Sequence, residues 1–311
     1  MKLAMVFPGQ GSQSVGMLKA YAGLPGIDRV ISEIREVLGE EFVRLLEQGP
    51  AGDLDQTVNT QPAMLAAGYA AWRAWRALAG PAPVVVAGHS LGEYTALVAA
   101  GALAFRDCLP LVRFRAQAMQ EAVPEGQGAM AAVLNLEDRE VLAACAAAAR
   151  GEVVQAVNFN APGQVVIAGH KSAVARAVEA CKARGAKRAL PLPVSAPFHS
   201  SLLQPAADRL KLRLQKIDFS RPAIALVNNV DVKVEFDPAA IKDALVRQAA
   251  SPVRWVETIR RMAEMGATCV VECGPGKVLA GLTKRIDAGI QSFSLADRAS
   301  MEQTLQAIKG A

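Results

Sequence analysis

Three kinds of residue in this 311-residue chain could do covalent chemistry: a serine on a glycine-framed turn, three histidines and five cysteines. The serine is Ser90, within Gly88-His89-Ser90-Leu91-Gly92, a G-x-S-x-G arrangement. That pattern gains meaning only between a strand and a helix; here Pro83–Ala87 is an apolar run and Glu93–Ala100 has helical character. The glycines leave room for a turn so tight that Cβ atoms would meet neighbouring backbone. Ser90 is thereby forced into a strained conformation with Oγ exposed. The helix N-terminus behind it offers free N–H groups and the positive end of a dipole to a developing oxyanion.

A serine nucleophile needs a base. His89 adjoins Ser90 and is expected to point away across the turn; His170 ends a strand after Ala168-Gly169 and reads as a packing or surface residue. His199 follows Pro197-Phe198, just before a helical stretch, and by elimination is the general base, worth about 10²- to 10⁴-fold in rate. No carboxylate presents itself as a third member, since Asp208 lies nine residues further along that helix. A Ser–His dyad with the imidazole oriented by a carbonyl group is the simpler expectation. The loop Pro8-Gly9-Gln10-Gly11-Ser12-Gln13 lacks the Lys-Ser/Thr of a phosphate loop and does not fit G-x-G-x-x-G. It suits one donor of an oxyanion hole, with the Leu91 N–H as the other, each worth about 3 kcal/mol.

The elements that must position these groups follow from hydrophobic pattern. Leu3–Phe7, Pro83–Ala87, Ile224–Asn228, Thr268–Glu272 and Gln291–Leu295 read as buried strands, with helical segments at Gln61–Leu78, Phe105–Val123, Asp237–Gln248 and Val253–Met265. Continuous apolar strands alternating with helices predict a parallel sheet covered on both faces. The middle of the chain instead reads β-α-β-β-α-β, from Ala129–Leu134 to Ala186–Leu192, the ferredoxin-like order. The expected fold class is α/β: a parallel-sheet, α/β-hydrolase-like large domain with an inserted small ferredoxin-like subdomain. The expected boundaries are 1–125 and 199–311 for the large domain and 126–198 for the insert, with a cleft between them.

Composition narrows the function. The chain is 52% hydrophobic and 20% charged, with a net charge of +5 and no run of like charges. That tolerates anionic partners, but with no basic stripe interleaved with aromatics it does not point to nucleic acid. The five cysteines have no C-x-x-C spacing, so reduced, buried thiols in a cytoplasmic protein are expected, not a metal or disulfide framework. No uncharged apolar stretch is long enough to span a bilayer, and Met1–Phe7 runs into Pro8-Gly9 too soon for a signal sequence.

Six ordered motifs carry a family resemblance: Phe7-Pro8-Gly9-Gln10-Gly11-Ser12-Gln13, Gly88–Tyr94, Met119–Pro124, Asn158–Gln164, Pro197-Phe198-His199-Ser200 and Glu272-Cys273-Gly274-Pro275-Gly276. Together, over residues 3 to about 285, the chain resembles the malonyl-CoA:acyl-carrier-protein transacylases of bacterial type II fatty-acid synthesis. The resemblance implies ping-pong transfer of malonyl from coenzyme A to Ser90 and on to the phosphopantetheine thiol of acyl carrier protein, with no resident cofactor. It implies backbone N–H groups of Gln10 and Leu91 as the oxyanion hole and a Gln248 carbonyl that orients His199. It also implies Arg115 as the partner of the malonyl carboxylate, although Ala116 stands where the family usually has glycine. A guanidinium fork is the natural carboxylate clamp, and Arg113, two residues away, would face elsewhere on the helix. Phe198 is open to two roles, crowding an α-substituent of the acyl group or packing the hinge between domains. Three other readings share parts of the pattern: a serine hydrolase or thioesterase, a trans-acting acyltransferase of a polyketide synthase, and a non-enzymatic carrier-binding module.

Overall fold

The computed structural model describes residues 1–194 and 196–310; Ser195 and Ala311, which fall inside the expected domain spans, lie outside the described residues. The chain opens with β1 (Leu3–Phe7) and then packs α1 (Ile27–Leu38), α2 (Glu40–Gln48), α3 (Ala51–Leu54) and α4 (Thr57–Ala77). It continues through β2 (Val85–Gly88), α5 (Gly92–Ala99) and α6 (Phe105–Glu121). Next come β3 (Gly128–Leu134), α7 (Asp138–Ala149), β4 (Val154–Ala161), β5 (Gln164–His170), α8 (Lys171–Ala183) and β6 (Arg188–Pro191). The chain ends with α9 (Gln204–Leu214), β7 (Ala225–Leu226), α10 (Pro238–Ala249), α11 (Trp255–Glu264), β8 (Cys269–Glu272), α12 (Val278–Ile286), β9 (Gln291–Ser294) and α13 (Arg298–Lys309).

Two sheets result. The first is parallel throughout, in the order β7-β2-β1-β8-β9. Its alternation explains the unbroken apolar strands: Leu3, Met5 and Phe7 enter the core on one face, Ala4 and Val6 the core on the other. The second sheet is antiparallel in the order β4-β5-β3-β6, which is the ferredoxin-like arrangement, with α7 and α8 over one face around Val133, Val141, Val165 and Ile167. The α/β class and both sheets are as the pattern predicts.

Backbone hydrogen bonds tie the two parts together. Phe159 N donates to Val253 O at 3.0 Å and Val253 N to Val157 O at 2.8 Å, so β4 hydrogen-bonds to the segment just before α11. His89 Nε2 and Asn160 Oδ1 meet at 2.8 Å beside the serine turn, so the His89 ring does turn away from Ser90. All five cysteines are buried and free. No helix among the described residues is long and apolar enough to cross a membrane.

Three local readings change. The segment before α4 had no assigned element, yet Val30, Ile34, Phe42, Val43 and Leu46 carry the three- and four-residue spacing of helices and are buried. The helix expected from Gln61 begins at Thr57, so Pro62 sits inside it near its N-terminal end. The strand expected over Ile224–Asn228 is only Ala225–Leu226, because the chain turns at Asn228, whose N–H donates to Lys233 O at 3.0 Å. That turn delivers Asn229 to the nucleophile.

Candidate active site

The serine turn is built by exclusion. A Cβ on Gly88 would lie 1.8 Å from the Gly92 carbonyl carbon, and one on Gly92 would lie 2.0 Å from Phe7 O. Nothing larger than hydrogen fits where β2 runs into α5 beside β1. Ser90 is held at φ +52°, a region that costs a side-chain-bearing residue of order 1 kcal/mol or more. Asn229 sustains it: its Oδ1 accepts from Ser90 N at 2.7 Å and its Nδ2 donates to Gly88 O at 2.7 Å. Replacing Gly92 with alanine is expected to destabilise the fold by about 3 kcal/mol or more, read as a fall in denaturant midpoint. An unchanged midpoint would contradict this account of the turn.

The histidine expected to be the base arrives at the same oxygen. His199 Nε2 lies 2.6 Å from Ser90 Oγ, and His199 Nδ1 lies 2.9 Å from the Gln248 carbonyl oxygen. A carbonyl only accepts, so Nδ1 carries the proton and Nε2 presents its lone pair to the serine hydroxyl. His199 is itself at φ +64° and buried, a position fixed by its surroundings. Burial, then the charge of Arg115, pushes its pKa down to about 3, against the pull of the carbonyl hydrogen bond. The neutral base therefore persists well below the ordinary histidine range. Acylation from malonyl-CoA is expected not to decline as pH falls from 7.5 to 5. A loss with an apparent pKa near 6.5, in rapid-quench measurements of acyl-enzyme formation, would contradict it.

Arg115 completes the cluster. It is 1% exposed on α6, whereas Arg113 faces solvent. Its Nη1 donates to Gln61 Oε1 at 2.9 Å, and its Nη2 donates to Gln248 Oε1 at 2.9 Å and to Ser90 Oγ at 3.3 Å. The guanidinium also lies over the Tyr94 ring, 5.3 Å from its centroid. Gln10 joins through its side chain, which accepts from Gln61 Nε2 at 3.3 Å, and it lines a cleft of about 1040 Å3 with Gln56, Thr57, Gln120 and Leu192. Around the turn, His89 N donates to Phe7 O, Gly92 N to His89 O and Glu93 N to Ser90 O. Among the described residues the N–H groups of Leu91 and Gln10 donate to no backbone acceptor, which is what an oxyanion hole needs.

Ser90, His199, Arg115, Gln248 and Gln10 are thus joined in one hydrogen-bonded cluster, with Leu91 next to the nucleophile. Phe198 is 8% exposed and sits in the main core. Asp208 is exposed and pairs with Gln204, away from the dyad. Three participants were not singled out from sequence. Gln61 and Asn229 are amides with no distinguishing local pattern. Glu93 did carry a signal, as the one carboxylate in the apolar, fully buried helix α5.

A mobile-proton dyad, a guanidinium within reach of the nucleophile and two N–H groups with no backbone acceptor among the described residues suit acyl transfer from a carboxylated thioester, and known proteins agree. The family model described as acyl transferase domain matches residues 4–305. The malonyl CoA-acyl carrier protein transacylase of Salmonella typhimurium is 53% identical over 305 residues, covering 98% of this chain and 99% of that one. The crystal structure of an acyl-carrier-protein S-malonyltransferase from Burkholderia pseudomallei superposes with a TM-score of 0.97 at 61% identity, covering 98% of this chain and 100% of the other. A malonyl-transacylase solved in complex with a type II polyketide acyl-carrier protein gives 0.97 at 50% identity, over 99% and 100% of the two chains. With residues 4–305 matched by the family model and 98% of the chain aligned to a relative 53% identical, the chain belongs to the acyl transferase domain family.

Proposed function

We propose that the protein transfers the malonyl group from malonyl-CoA to the phosphopantetheine thiol of holo-acyl carrier protein, supplying fatty-acid chain elongation. The observation that carries this reading is that one oxygen, Ser90 Oγ, is shared by His199 Nε2 at 2.6 Å and Arg115 Nη2 at 3.3 Å. A nucleophile whose immediate neighbour is a buried guanidinium is suited to an acyl group that itself ends in a carboxylate.

In the first half-reaction Ser90 Oγ attacks the thioester carbonyl as its proton passes to His199 Nε2. The oxyanion lies against the Leu91 and Gln10 N–H groups. The C–S bond then breaks, and the imidazolium returns the proton to the coenzyme A thiolate. The second half-reaction runs the same steps in reverse, with the carrier thiol giving its proton to His199 and the Ser90 ester bond breaking. No step calls on a cofactor, and none needs a membrane or a nucleic acid. The substrates and the five free cysteines suit the cytoplasm.

Incubation with malonyl-CoA is expected to give an ester on Ser90 and, once holo-acyl carrier protein is added, malonylated carrier with release of one coenzyme A per transfer. Free malonate formed at the same rate with or without carrier, and no acylated carrier, would instead identify a hydrolase. Fatty-acid and polyketide carriers should be compared side by side, because the 50%-identical neighbour is bound to a polyketide carrier.

A further inference from the structure

Glu93 is the one buried carboxylate in this cluster, and neither half-reaction uses it. It is 2% exposed, and its Oε2 accepts from Gln248 Nε2 at 2.8 Å and from Asn229 N at 3.0 Å. Arg115, 1% exposed, forms no ion pair among the described residues; the hydrogen-bond acceptors it has are the neutral oxygens of Gln61, Gln248 and Ser90. A buried cation without a counter-charge is costly. The nearest compensation comes through Gln248, whose Oε1 takes Arg115 and whose Nε2 is given to Glu93. The two charges are therefore held one amide apart.

We propose that Glu93 is a specificity-determining positioning residue: through Gln248 it compensates Arg115 without occupying the guanidinium, and it takes up a proton when a carboxylated acyl group arrives there. The proposal rests on Arg115 as the seat of the acyl carboxylate. A direct Glu93–Arg115 pair would compete with substrate for the same fork. With the amide between them the fork holds only neutral acceptors, which an acyl carboxylate can displace without competing against another charge. Loading a second carboxylate nevertheless places two negative charges around one cation in a water-poor site. Like charges so placed favour protonation of one partner. Malonate half-esters are stronger acids than a buried glutamic acid, so the proton goes to Glu93.

The groups that face Glu93 leave it as the one free to titrate near neutrality. Arg115 from α6 remains a cation. Asp231, beyond β7, is held by two hydrogen bonds from Arg247, at 2.8 and 2.7 Å, which keep its carboxyl below the usual range. Tyr94 on α5 is pushed up by burial, and His199 is neutral. Burial sets Glu93 at about 7 before substrate binds.

The test compares kcat/KM for malonyl-CoA and acetyl-CoA, whose shared nucleotide cancels from the ratio, between pH 6 and 8.5. The malonyl preference is expected to fall roughly five- to tenfold as pH rises, because by linkage the protonated Glu93 state binds the carboxylated group better. Glu93→Gln, which keeps a carbonyl acceptor for Gln248 and Asn229, is expected to flatten the profile. Wild-type enzyme at pH 7 is also expected to take up a proton on malonyl loading but not on acetyl loading, read with an indicator dye, so the proposal does not depend on the variant folding. A flat wild-type ratio, no differential uptake, or an unaltered slope in Glu93→Gln overturns it. If any of these occurs while Arg115→Ala still collapses the malonyl preference, only the Glu93 assignment is lost. If Arg115→Ala leaves that preference intact, the carboxylate reading of Arg115 is what fails.

Discussion

Substituting Ser90 with alanine is expected to lower malonyl transfer by about 10⁴-fold or more, and adding His199→Ala to that variant is expected to cost almost nothing further. The two groups act on a single proton: Oγ gives it up and Nε2 receives it across 2.6 Å. Once the oxygen is gone the imidazole has no partner in the reaction, so the losses do not add. The variant should fold, because the turn is held by backbone groups that remain, the Ser90 N–H to Asn229 and the Gly88 carbonyl from Asn229. His199→Ala alone should leave a small activity that rises with pH, since hydroxide can take the proton and Arg115 at 3.3 Å favours the resulting alkoxide. Intact-mass measurement of the acyl-enzyme and single-turnover rates decide it. A Ser90→Ala protein that still forms an acyl-enzyme at a comparable rate would place the nucleophile elsewhere.

What the sequence could disclose about this site follows from how each residue is constrained. The turn around Ser90 was legible because its geometry admits only glycine at positions 88 and 92, a constraint written in residue type. His199 was legible because a chain with three histidines leaves few candidates for a base. The lack of a suitable carboxylate pointed to a carbonyl as the imidazole's partner, and a carbonyl oxygen lies 2.9 Å from His199 Nδ1. That the carbonyl belongs to Gln248, and that the buried guanidinium is Arg115, came only from the family resemblance, for nothing in local spacing singles them out. Asn229 shows the limit. It lies 139 residues from Ser90, reaches it because β7 is cut short, and as an amide in a turn it looks like any other. The parallel sheet was legible from its unbroken apolar strands, and the inserted unit from its element order. The N-terminal helices went unassigned although their apolar spacing was regular, because a charged residue stands beside almost every buried one and dilutes the pattern.

Removing the Arg115 side chain is expected to reduce the preference for malonyl over acetyl thioesters by two to three orders of magnitude, the equivalent of about 3–4 kcal/mol. The size follows from burial. Its guanidinium is shielded from water by α4, α6 and α10, so a carboxylate reaching it meets an almost unscreened charge. Two consequences of Arg115→Ala work in opposite directions on the acetyl reaction. Gln61 and Gln248 each lose the donor that fixes their amides, and a displaced Gln248 would slacken the carbonyl that orients His199. Yet the charge of Arg115 is the second-largest cause of the depressed imidazole basicity, so its removal makes His199 a stronger base. The same relief operates in the wild-type enzyme whenever the acyl carboxylate neutralises Arg115, so a carboxylated substrate strengthens the base that its own transfer requires. Acetyl transfer in Arg115→Ala should accordingly change by no more than about tenfold, while malonyl transfer collapses. Arg115→Lys, which keeps the charge and loses the planar fork, should fall between them. Measuring kcat/KM for both thioesters in the two variants separates these contributions. Equal losses on malonyl and acetyl, which leave the ratio unchanged, would reduce Arg115 to a structural support and remove it from recognition.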